Sequence, residues 1–316
     1  MLRARYDVAG RTVFITGAAR GIGAETARRL HAAGANVALV GLEPERLAEL
    51  SERLGPRAAW FEADVTDADA LGEAVAGTIV SFGKIDVAIA NAGIQFMGRM
   101  ATMPREHFER TLEVNLFGTW RTDRAVLDEI VRNRGYLLNI ASLSAASHTP
   151  LMGAYTASKA GVEAMTDCLR VELAHTGARV GCAYFGFIDT DLVKASFAHP
   201  STVGLTSTLP KFIAQPAPLP LAIDAIERGV ARRSARIWAP RYVGGALALR
   251  GIVQPLTEFQ LRHSKGLPAS LRLADPDPSR PDGQDALMGV SVAPASTATA
   301  PARQPEPAPG RLTKQT

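Results

Sequence analysis

A tyrosine and a lysine four residues apart, Tyr155 and Lys159, are the side chains of this sequence best suited to acid–base chemistry. Residues at this spacing share one face of a helix and can approach each other. A phenol with its usual pKa of ~10 exchanges protons poorly at neutral pH, and a neighbouring ammonium group lowers that pKa by favouring the phenolate. The spacing alone is more typical of a solvated helix face. Small residues around the pair, in the segment 154–161, leave room for another molecule and favour an acid–base role.

Near the start of the chain, a glycine-rich turn joins an apolar run to a segment with helical periodicity. Gly17, Gly21 and Gly23 follow the apolar residues 13–15. Glycines let the backbone turn sharply and approach a pyrophosphate, and the N-terminus of the following helix supplies free N–H groups and the positive end of its dipole. The pattern predicts a nucleotide-binding strand–turn–helix unit, although glycines taken alone also cap helices and close turns.

Short apolar runs alternate with helical patterns along residues 1–240. Runs that are apolar almost throughout are typical of parallel strands covered by helices on both faces. We therefore predict an α/β fold with a doubly wound, Rossmann-like parallel sheet of about seven strands: Thr12–Thr16, Asn36–Gly41, Ala58–Glu62, Ile85–Asn91, Tyr136–Ser142, Arg179–Phe185 and Arg236–Ala239. The ligand crevice of such a sheet lies outside the carboxyl ends of the strands. Asn91 and Ser142 are expected there, beside the glycine-rich turn.

The chain is expected to contain three segments. Residues 1–240 form the Rossmann-like domain, and residues 241–273 form a helical C-terminal extension. Within this extension, Tyr242–Arg262 is predicted to be one amphipathic helix that Pro255 kinks or breaks. Residues 274–316 are rich in Pro and Ala and poor in aromatic residues, which predicts a disordered tail.

Composition and charge argue against several classes of protein. The net charge of +4 is small and dispersed, which does not favour nucleic-acid binding. Two cysteines and six scattered histidines indicate neither a disulfide framework nor a metal site. No stretch has the ~18 apolar residues of a membrane-spanning helix, and no apolar leader precedes the first strand. We expect a soluble, cytoplasmic protein, and membrane association is not expected.

These motifs, in this order, resemble those of the classical short-chain dehydrogenase/reductase family over roughly residues 7–240. The resemblance rests on the glycine-rich turn, on Asn91-Ala92-Gly93, and on the spacing of four residues that match the family's catalytic tetrad: Asn115, Ser142, Tyr155 and Lys159. It implies an NAD(P)(H)-dependent oxidoreductase that transfers a hydride between the nicotinamide and an alcohol or its ketone or aldehyde.

The resemblance also implies a role for each member of the tetrad. Tyr155 exchanges a proton with the reacting oxygen, and Ser142 binds that oxygen. Lys159 lowers the pKa of the tyrosine and binds the nicotinamide ribose, and Asn115 holds a water that relays protons from Lys159. Structural alternatives are a helix kink at Asn115 and a turn cap at Ser142, and Ser144 is a rival for the role of Ser142.

Cofactor contacts are implied at positions along the whole domain. Together with Tyr155 and Lys159, they are Gly17, Arg20, Gly21, Ile22, Gly23, Glu43, Asp64, Val65, Asn91, Gly93, Ile188 and Thr190. Asp64 has an alternative role as a helix N-cap, and Asn91 and Gly93 have one in shaping a turn. Arg20 suits the 2′-phosphate of NADP, whereas Glu43 suits the free 2′-hydroxyl of NAD. The choice between NAD and NADP stays open.

The substrate pocket is expected to be mainly apolar and to take a small apolar alcohol or carbonyl compound. Its candidate residues are His148, Met152 and Phe187, with residues 191–220 as a variable lid; packing in the core is the alternative for Phe187.

Further expectations concern association and competing functions. The helices predicted over 105–132 and 154–176 resemble those through which the family often pairs subunits, which implies a homo-oligomer. Met165, Leu169 and Leu173 extend an apolar stripe on the second helix, unless that stripe faces the sheet. Competing functions are a dinucleotide-binding sensor or scaffold without turnover, and a peripheral membrane, lipid-modifying reductase whose helix 242–262 rests on lipid.

Overall fold

The computed structural model of the chain describes residues 5–206 and 209–275. Within these ranges, one parallel sheet contains seven strands: β1 (Thr12–Thr16), β2 (Asn36–Gly41), β3 (Ala58–Glu62), β4 (Val87–Ala90), β5 (Tyr136–Ile140), β6 (Arg179–Phe185) and β7 (Arg236–Ala239). Their order across the sheet is β3-β2-β1-β4-β5-β6-β7, so the direction of winding reverses between β1 and β4. A ligand crevice opens at such a reversal. The predicted doubly wound, Rossmann-like fold is confirmed.

Helices cover both faces of this sheet and extend beyond it. They are α1 (Gly21–Ala32), α2 (Pro44–Leu54), α3 (Ala68–Phe82), α4 (Arg105–Leu112), α5 (Gly118–Arg132), α6 (Gly153–Glu172), α7 (Asp191–Ala198), α8 (Thr202–Thr206), α9 (Lys211–Ala214), α10 (Leu219–Arg232), α11 (Arg241–Ala248), α12 (Arg250–Arg262) and α13 (Leu267–Leu273). A π-helical turn, Glu113–Phe117, joins α4 to α5, and a 3-10 turn, Leu143–Ala145, follows β5. Successive residues of β1 point to opposite faces. Ile15 therefore packs with α1, α2 and α10, and Phe14 packs with α3 and α5.

Two strands, β4 and β5, are shorter than predicted, and polar side chains make hydrogen bonds at their ends. Before β4, the Asp86 carboxylate accepts a hydrogen bond from the Thr12 backbone N–H at 3.0 Å. After β4, the Asn91 backbone N–H donates to the Thr16 hydroxyl at 3.0 Å instead of to a strand carbonyl. After β5, the Ser142 hydroxyl accepts from the Ser144 backbone N–H at 3.1 Å and caps the 3-10 turn. Asn91 and Ser142 therefore lie at the edge of the crevice.

The C-terminal extension consists of three helices, so the prediction of one helix over Tyr242–Arg262 was wrong. The break is at Leu249, where α11 ends and α12 begins, and Pro255 lies inside α12. The Leu249 carbonyl accepts from the backbone N–H groups of both Ile252 and Val253, so it starts a new helix. Pro255 is the sixth residue of α12, where its missing N–H removes one backbone hydrogen bond without ending the helix.

Ordered contacts continue to the end of the described chain. Ala274 is buried, and the Asp275 carboxylate pairs with Arg99 at 2.7 Å and accepts from Thr102 at 2.8 Å. The remainder of the predicted tail, residues 276–316, lies outside the described residues.

The apolar stripe on α6 faces the sheet rather than solvent. Leu173 is buried and Leu169 is partly buried in the core cluster beneath β5 and β6. This is the alternative considered above for the stripe, so it does not support association through α6. Exposed apolar side chains include Val171 near the end of α6, and Phe117 and Trp120 at the start of α5.

Within residues 5–206 and 209–275, no helix is long and apolar enough to cross a membrane. The same ranges contain no group of three or more His, Cys, Asp or Glu side chains placed to hold a metal ion. Cys182 is buried, Cys168 is exposed, and neither is in a disulfide.

Candidate active site

The glycine-rich turn between β1 and α1 is shaped so that other residues would not fit. Gly17 and Gly21 adopt φ angles of +64° and +55°, which side chains rarely tolerate. A Cβ atom at Gly23 would lie 2.2 Å from the Gly17 carbonyl oxygen. The backbone thus closes on itself without side chains, and the N-terminus of α1 stays open towards the crevice.

Asn91 secures this turn from the neighbouring strand. Its side-chain Nδ2 donates to the carbonyl oxygens of Thr16, at 3.0 Å, and Gly17, at 3.1 Å. The structure therefore places Asn91 in a turn-shaping role, which was the alternative considered for it. Cofactor contact from Asn91 stays a prediction.

The other half of the domain reaches the same turn through the segment after β6. A Cβ atom at Gly21 would lie 3.7 Å from the Thr190 methyl group, so these two predicted cofactor residues are adjacent. Thr190 also caps α7, and Ile188 is buried just before it. Ile22 is partly buried and packs against the core beneath the turn.

Arg20 and Glu43, which gave opposite indications about the cofactor, bind each other. The Arg20 Nε donates to Glu43 Oε1 at 2.8 Å, and a second guanidinium N–H contacts the other carboxylate oxygen. Arg46 also pairs with Glu43, at 3.2 Å. One carboxylate therefore holds two guanidinium groups at the end of β2, where the adenosine ribose is expected.

Asp64 and Val65, the predicted adenine contacts, are held by protein groups. The Asp64 carboxylate accepts from the Thr66 backbone N–H at 2.9 Å and pairs with Arg110 at 3.1 Å. The net effect is a lowered pKa for Asp64, because these hydrogen bonds outweigh the opposing effect of burial. Asp67, not Asp64, caps α3, so the N-cap alternative for Asp64 was wrong.

The structure brings Tyr155 and Ser142 together at the carboxyl end of β5. The pKa of the half-buried Tyr155 phenol is raised above its usual value. Burial causes this rise, and a hydrogen bond with Ser142 opposes it only in part. The Ser142 hydroxyl also caps the 3-10 turn by accepting from the backbone N–H of Ser144. Ser142 thus has the turn-capping role that was its structural alternative, and its binding of the reacting oxygen stays a prediction. The hydroxyl that acts on the pKa of the Tyr155 phenol is that of Ser142, not that of the rival Ser144.

Lys159 lies behind Tyr155 and is almost fully buried. Its Nζ donates to the Ile140 carbonyl oxygen at 2.8 Å and lies 5.8 Å from the centroid of the Tyr155 ring. Burial disfavours the charged amine and lowers the pKa of Lys159 to about 8. An ammonium group with this pKa exchanges protons readily near neutral pH.

Asn115 lies in the π-helical turn with all its side-chain polar atoms occupied. Its Oδ1 accepts from the Ile94 N–H at 2.8 Å, and its Nδ2 donates to the Ile94 carbonyl at 2.9 Å and to Ser158 Oγ at 3.1 Å. These bonds tie α6 to the loop after β4. Gly93 lies between Asn115 and Lys159. A Cβ atom added to Gly93 would be 3.2 Å from Asn115 Oδ1 and 3.5 Å from Lys159 Nζ. A side chain at Gly93 would fill the gap between these two groups.

Helices of the C-terminal extension pack in the apolar cluster next to Tyr155. Met152 and Leu261 are buried in one apolar cluster, against which Tyr155 and Leu267 pack. Beside this cluster lies a cavity of about 260 Å³, lined by His148, Thr149, Pro150, Glu258, Leu261, Arg262 and Leu267. Phe187 is half-buried and packs edge-to-face on Phe197 of the predicted lid, with ring centroids 5.0 Å apart.

The sequence predicted His148, Met152 and Phe187 as residues of the substrate pocket. It did not predict the residues that α12 and α13 contribute to this cavity. Leu261, Arg262 and Leu267 are distant from Tyr155 in sequence and belong to no motif. The amphipathic periodicity of 242–262 was the available signal. It predicts a buried face but does not say what that face covers.

Taken together, the crevice fits a nicotinamide dinucleotide. At one end, the glycine turn presents backbone without side chains beside the open N–H groups at the start of α1. At the other end, Tyr155 and the buried amine of Lys159 lie beside a gap kept open by Gly93. The residues between these ends come from the carboxyl edge of the sheet, as expected for a dinucleotide that spans the winding reversal.

Comparison with known proteins agrees with this geometry. The family model for short chain dehydrogenases matches residues 11–201, more than half of the chain, and the chain therefore belongs to the short-chain dehydrogenase family. The match includes every residue of the tetrad and ends before α10 and the C-terminal extension.

Individual relatives share the dehydrogenase region. The chain is 36% identical over 201 residues to dehydrogenase/reductase SDR family member 7B of Bos taurus, a match that covers 60% of this chain and 62% of that protein. It therefore spans less than two thirds of that relative's length. An uncharacterized NAD-dependent oxidoreductase of Mycobacterium tuberculosis is 32% identical over 203 residues, covering 58% of this chain and 74% of that one.

Among solved structures, an alcohol dehydrogenase from Thermococcus sibiricus in complex with 5-hydroxy-NADP is similar to the chain. The sequences are 32% identical and the TM-score is 0.55, over 57% of this chain and 77% of that one.

Proposed function

We propose that this chain is an NAD(P)(H)-dependent oxidoreductase that interconverts an apolar alcohol and its ketone or aldehyde. The observation that carries the proposal is the meeting of Tyr155, Ser142 and Lys159 at the sheet edge that also carries the glycine-rich turn. The cofactor is NAD or NADP. When bound, it supplies or accepts the hydride, so the protein has to position the reactants and manage the proton.

In this mechanism, each member of the tetrad acts through its position in the structure. The Tyr155 phenol gives a proton to the carbonyl oxygen during reduction and removes one from the alcohol during oxidation. Ser142, which already hydrogen-bonds Tyr155, donates to the same oxygen and stabilises the charge that develops on it. When charged, Lys159 favours the phenolate form of Tyr155 and resupplies the proton, and it also binds the nicotinamide ribose.

Asn115 completes the proton path in this proposal. Its side chain holds Ile94 and Ser158, and so fixes the distance between the loop after β4 and the helix that carries Lys159. The gap at Gly93 gives room for a relay water between Asn115 and Lys159. Protons then pass from Lys159 towards solvent without movement of the buried amine.

The proposed substrate is apolar because apolar groups predominate around the phenol and in the adjacent cavity. Met152, Leu261 and Leu267 surround the reactive side of Tyr155, and Phe187 adds an aromatic surface at the lid. A sugar or a small hydroxy acid would leave polar groups unpaired there. Titration with NADH and NADPH, followed by a panel of carbonyl compounds from short to long chains, tests both parts of the proposal. Turnover only of charged or polyhydroxylated substrates would contradict it.

We further propose that Glu43 favours NAD, because it neutralises two guanidinium groups that would otherwise bind a 2′-phosphate. Glu43→Gln should release Arg20 and Arg46 and raise the affinity for NADPH relative to NADH by roughly tenfold, since a charge-assisted hydrogen bond is worth ~1.5–3 kcal/mol. Arg20→Ala should weaken NADPH more than NADH. Fluorescence titration of both cofactors measures the ratio.

Glu45→Gln is the matched control for this prediction, because Glu45 is exposed at the same end of α2. It should leave the ratio of the two affinities unchanged. Equal changes for both cofactors in Glu43→Gln and Arg20→Ala would show that neither side chain contacts the 2′ position.

We propose that the chain acts in the cytoplasm as a homo-oligomer that associates through the exposed aromatic residues at the start of α5. Phe117 is 47% and Trp120 is 49% exposed, and their spacing places them on one helix face. Trp120→Glu should shift the sedimentation coefficient at micromolar concentration towards the monomer. Val80→Glu, at an apolar position on α3 that is 87% exposed, should not. A wild-type protein that sediments only as a monomer would contradict the proposal.

A further inference from the structure

An apolar stripe runs along the outer face of α12 and the residue before it. Leu249, Ile252, Leu256 and Phe259 are 55%, 59%, 63% and 66% exposed. Their spacing of three, four and three residues places them on one side of the helix. Nothing in residues 5–206 and 209–275 covers this stripe, although four large apolar side chains in a row are normally buried.

The helix that carries the stripe is held firmly by its inner face. Leu261 is 5% exposed and packs in the cluster beside Tyr155. Arg250 makes two hydrogen bonds to Glu163, at 3.0 and 2.8 Å, and the Gln254 side chain accepts from the His148 backbone N–H at 2.7 Å. Rotating α12 to bury the stripe would break all of these contacts. The outward position of the stripe is therefore built into the fold.

The helical extension that carries the stripe has a positive formal charge. From Arg241 to Leu273 it contains five cationic side chains, Arg241, Arg250, Arg262, Lys265 and Arg272, and one carboxylate, Glu258. Arg250 is paired with Glu163 of α6 and Arg262 with Glu258, so the extension together with Glu163 has a formal charge of +3. The partner that this surface fits has an apolar layer beneath an anionic surface.

We propose that α12 docks this protein on an anionic lipid membrane, with the stripe in the acyl region and the surrounding cations among the headgroups. An amphipathic helix with these features lies in the plane of the interface. A second copy of the chain fits less well, because a two-fold contact through this surface would bring two surfaces of formal charge +3 against each other.

Membrane docking has a consequence for the substrate, which rests on the proposed function. The cavity beside Tyr155 is lined on one side by Leu261, Arg262 and Leu267, which belong to the same helical extension as the stripe. A docked α12 brings this cavity close to the lipid surface. An apolar alcohol or ketone dissolved in the membrane would then reach the site without crossing bulk water.

Flotation of the full chain with lipid vesicles tests the docking surface directly and needs neither cofactor nor turnover. A failure of the docking proposal is therefore distinguishable from a failure of the proposed enzymatic function. We expect the wild-type chain to float with vesicles that contain about 30% phosphatidylserine in phosphatidylcholine, and to bind at least about tenfold less to phosphatidylcholine alone. Raising the salt from about 0.1 M to about 1 M should release most of the bound protein, because it screens the headgroup charge.

The double variant Leu256→Ser/Phe259→Ser should lower binding to the anionic vesicles by about tenfold or more, since it removes the apolar contacts and leaves every charge in place. Val80→Ser is the matched control, because Val80 is an exposed apolar residue on α3, outside the extension, and should bind like the wild type. Both positions of the double variant are exposed, so it should keep the wild-type circular dichroism spectrum and melting temperature.

Three outcomes would overturn the proposal. The first is a wild-type chain that does not float with anionic vesicles, as expected if residues 276–316 cover the stripe. The second is flotation that the double variant leaves unchanged. The third is a double variant that lowers the oligomeric mass while the wild type ignores lipid, which would assign the stripe to contact between copies of the chain.

Discussion

Replacing Tyr155 by phenylalanine should lower kcat by about a hundredfold to ten-thousandfold while leaving dinucleotide affinity within about twofold of the wild type. The substitution removes only the hydroxyl group that exchanges the proton, and the ring keeps its packing against the cluster of Met152 and Leu261. Hydride transfer then lacks its acid or base. Steady-state kinetics on a verified substrate and a fluorescence titration with the preferred cofactor measure the two effects separately.

A suitable control is Tyr6→Phe. The Tyr6 hydroxyl makes a hydrogen bond to the Asp86 backbone carbonyl, remote from the crevice, so this variant loses a phenol of the same kind without touching the site. It should retain wild-type kcat. If Tyr155→Phe also retained it, the proposed mechanism would be wrong.

Gly23→Ala should weaken dinucleotide binding by about ten- to hundredfold. The new methyl group would lie 2.2 Å from the Gly17 carbonyl oxygen and 2.7 Å from Asn91 Nδ2, and both atoms are held by the hydrogen bond between them. Overpacking of this kind costs ~1–3 kcal/mol, and here the backbone that must move is the part that receives the pyrophosphate. Calorimetric titration with NADH and NADPH checks the expectation.

Gly72→Ala provides the matched control, because Gly72 lies inside α3 and a Cβ atom there would meet nothing within 4 Å. In that helix, alanine should stabilise the protein by ~0.5–1 kcal/mol and leave cofactor affinity unchanged. Unchanged affinity in Gly23→Ala as well would show that the pyrophosphate binds elsewhere.

The fold was predictable from the sequence because its signals are local. Five of the seven strand ranges agree with the prediction, and β4 and β5 are shorter by one or two residues at ends where Asp86, Asn91 and Ser142 make side-chain hydrogen bonds or bond to side chains. Strands buried on both faces have to be apolar nearly throughout, so short segments identify them. The tetrad positions followed from the resemblance of their spacing to the family pattern; the structure places Tyr155 and Lys159 on one helix near Ser142, and their catalytic roles stay predictions.

Interactions between distant segments were not predictable in the same way. Arg20 and Glu43 each suited a different cofactor when considered alone, yet they pair with each other across the end of β2. Likewise, the apolar positions of α6 suited either an interface or the core, and Leu173 proved to be buried beneath the sheet. Periodicity identifies an apolar face but contains no information on which neighbour covers it.

The sequence by itself therefore determined the strand–helix alternation, the glycine-rich turn and the positions of Tyr155 and Lys159 on one helix face. The tertiary structure alone decided that Glu43 holds Arg20 and Arg46, that Leu261 and Leu267 pack in the cluster beside Tyr155, and that α12 and the residue before it turn four apolar side chains outward. The physical reason is the range of the forces involved. Backbone geometry and periodicity act within a few residues, whereas ion pairing and apolar packing depend on which surfaces the folded chain brings into contact.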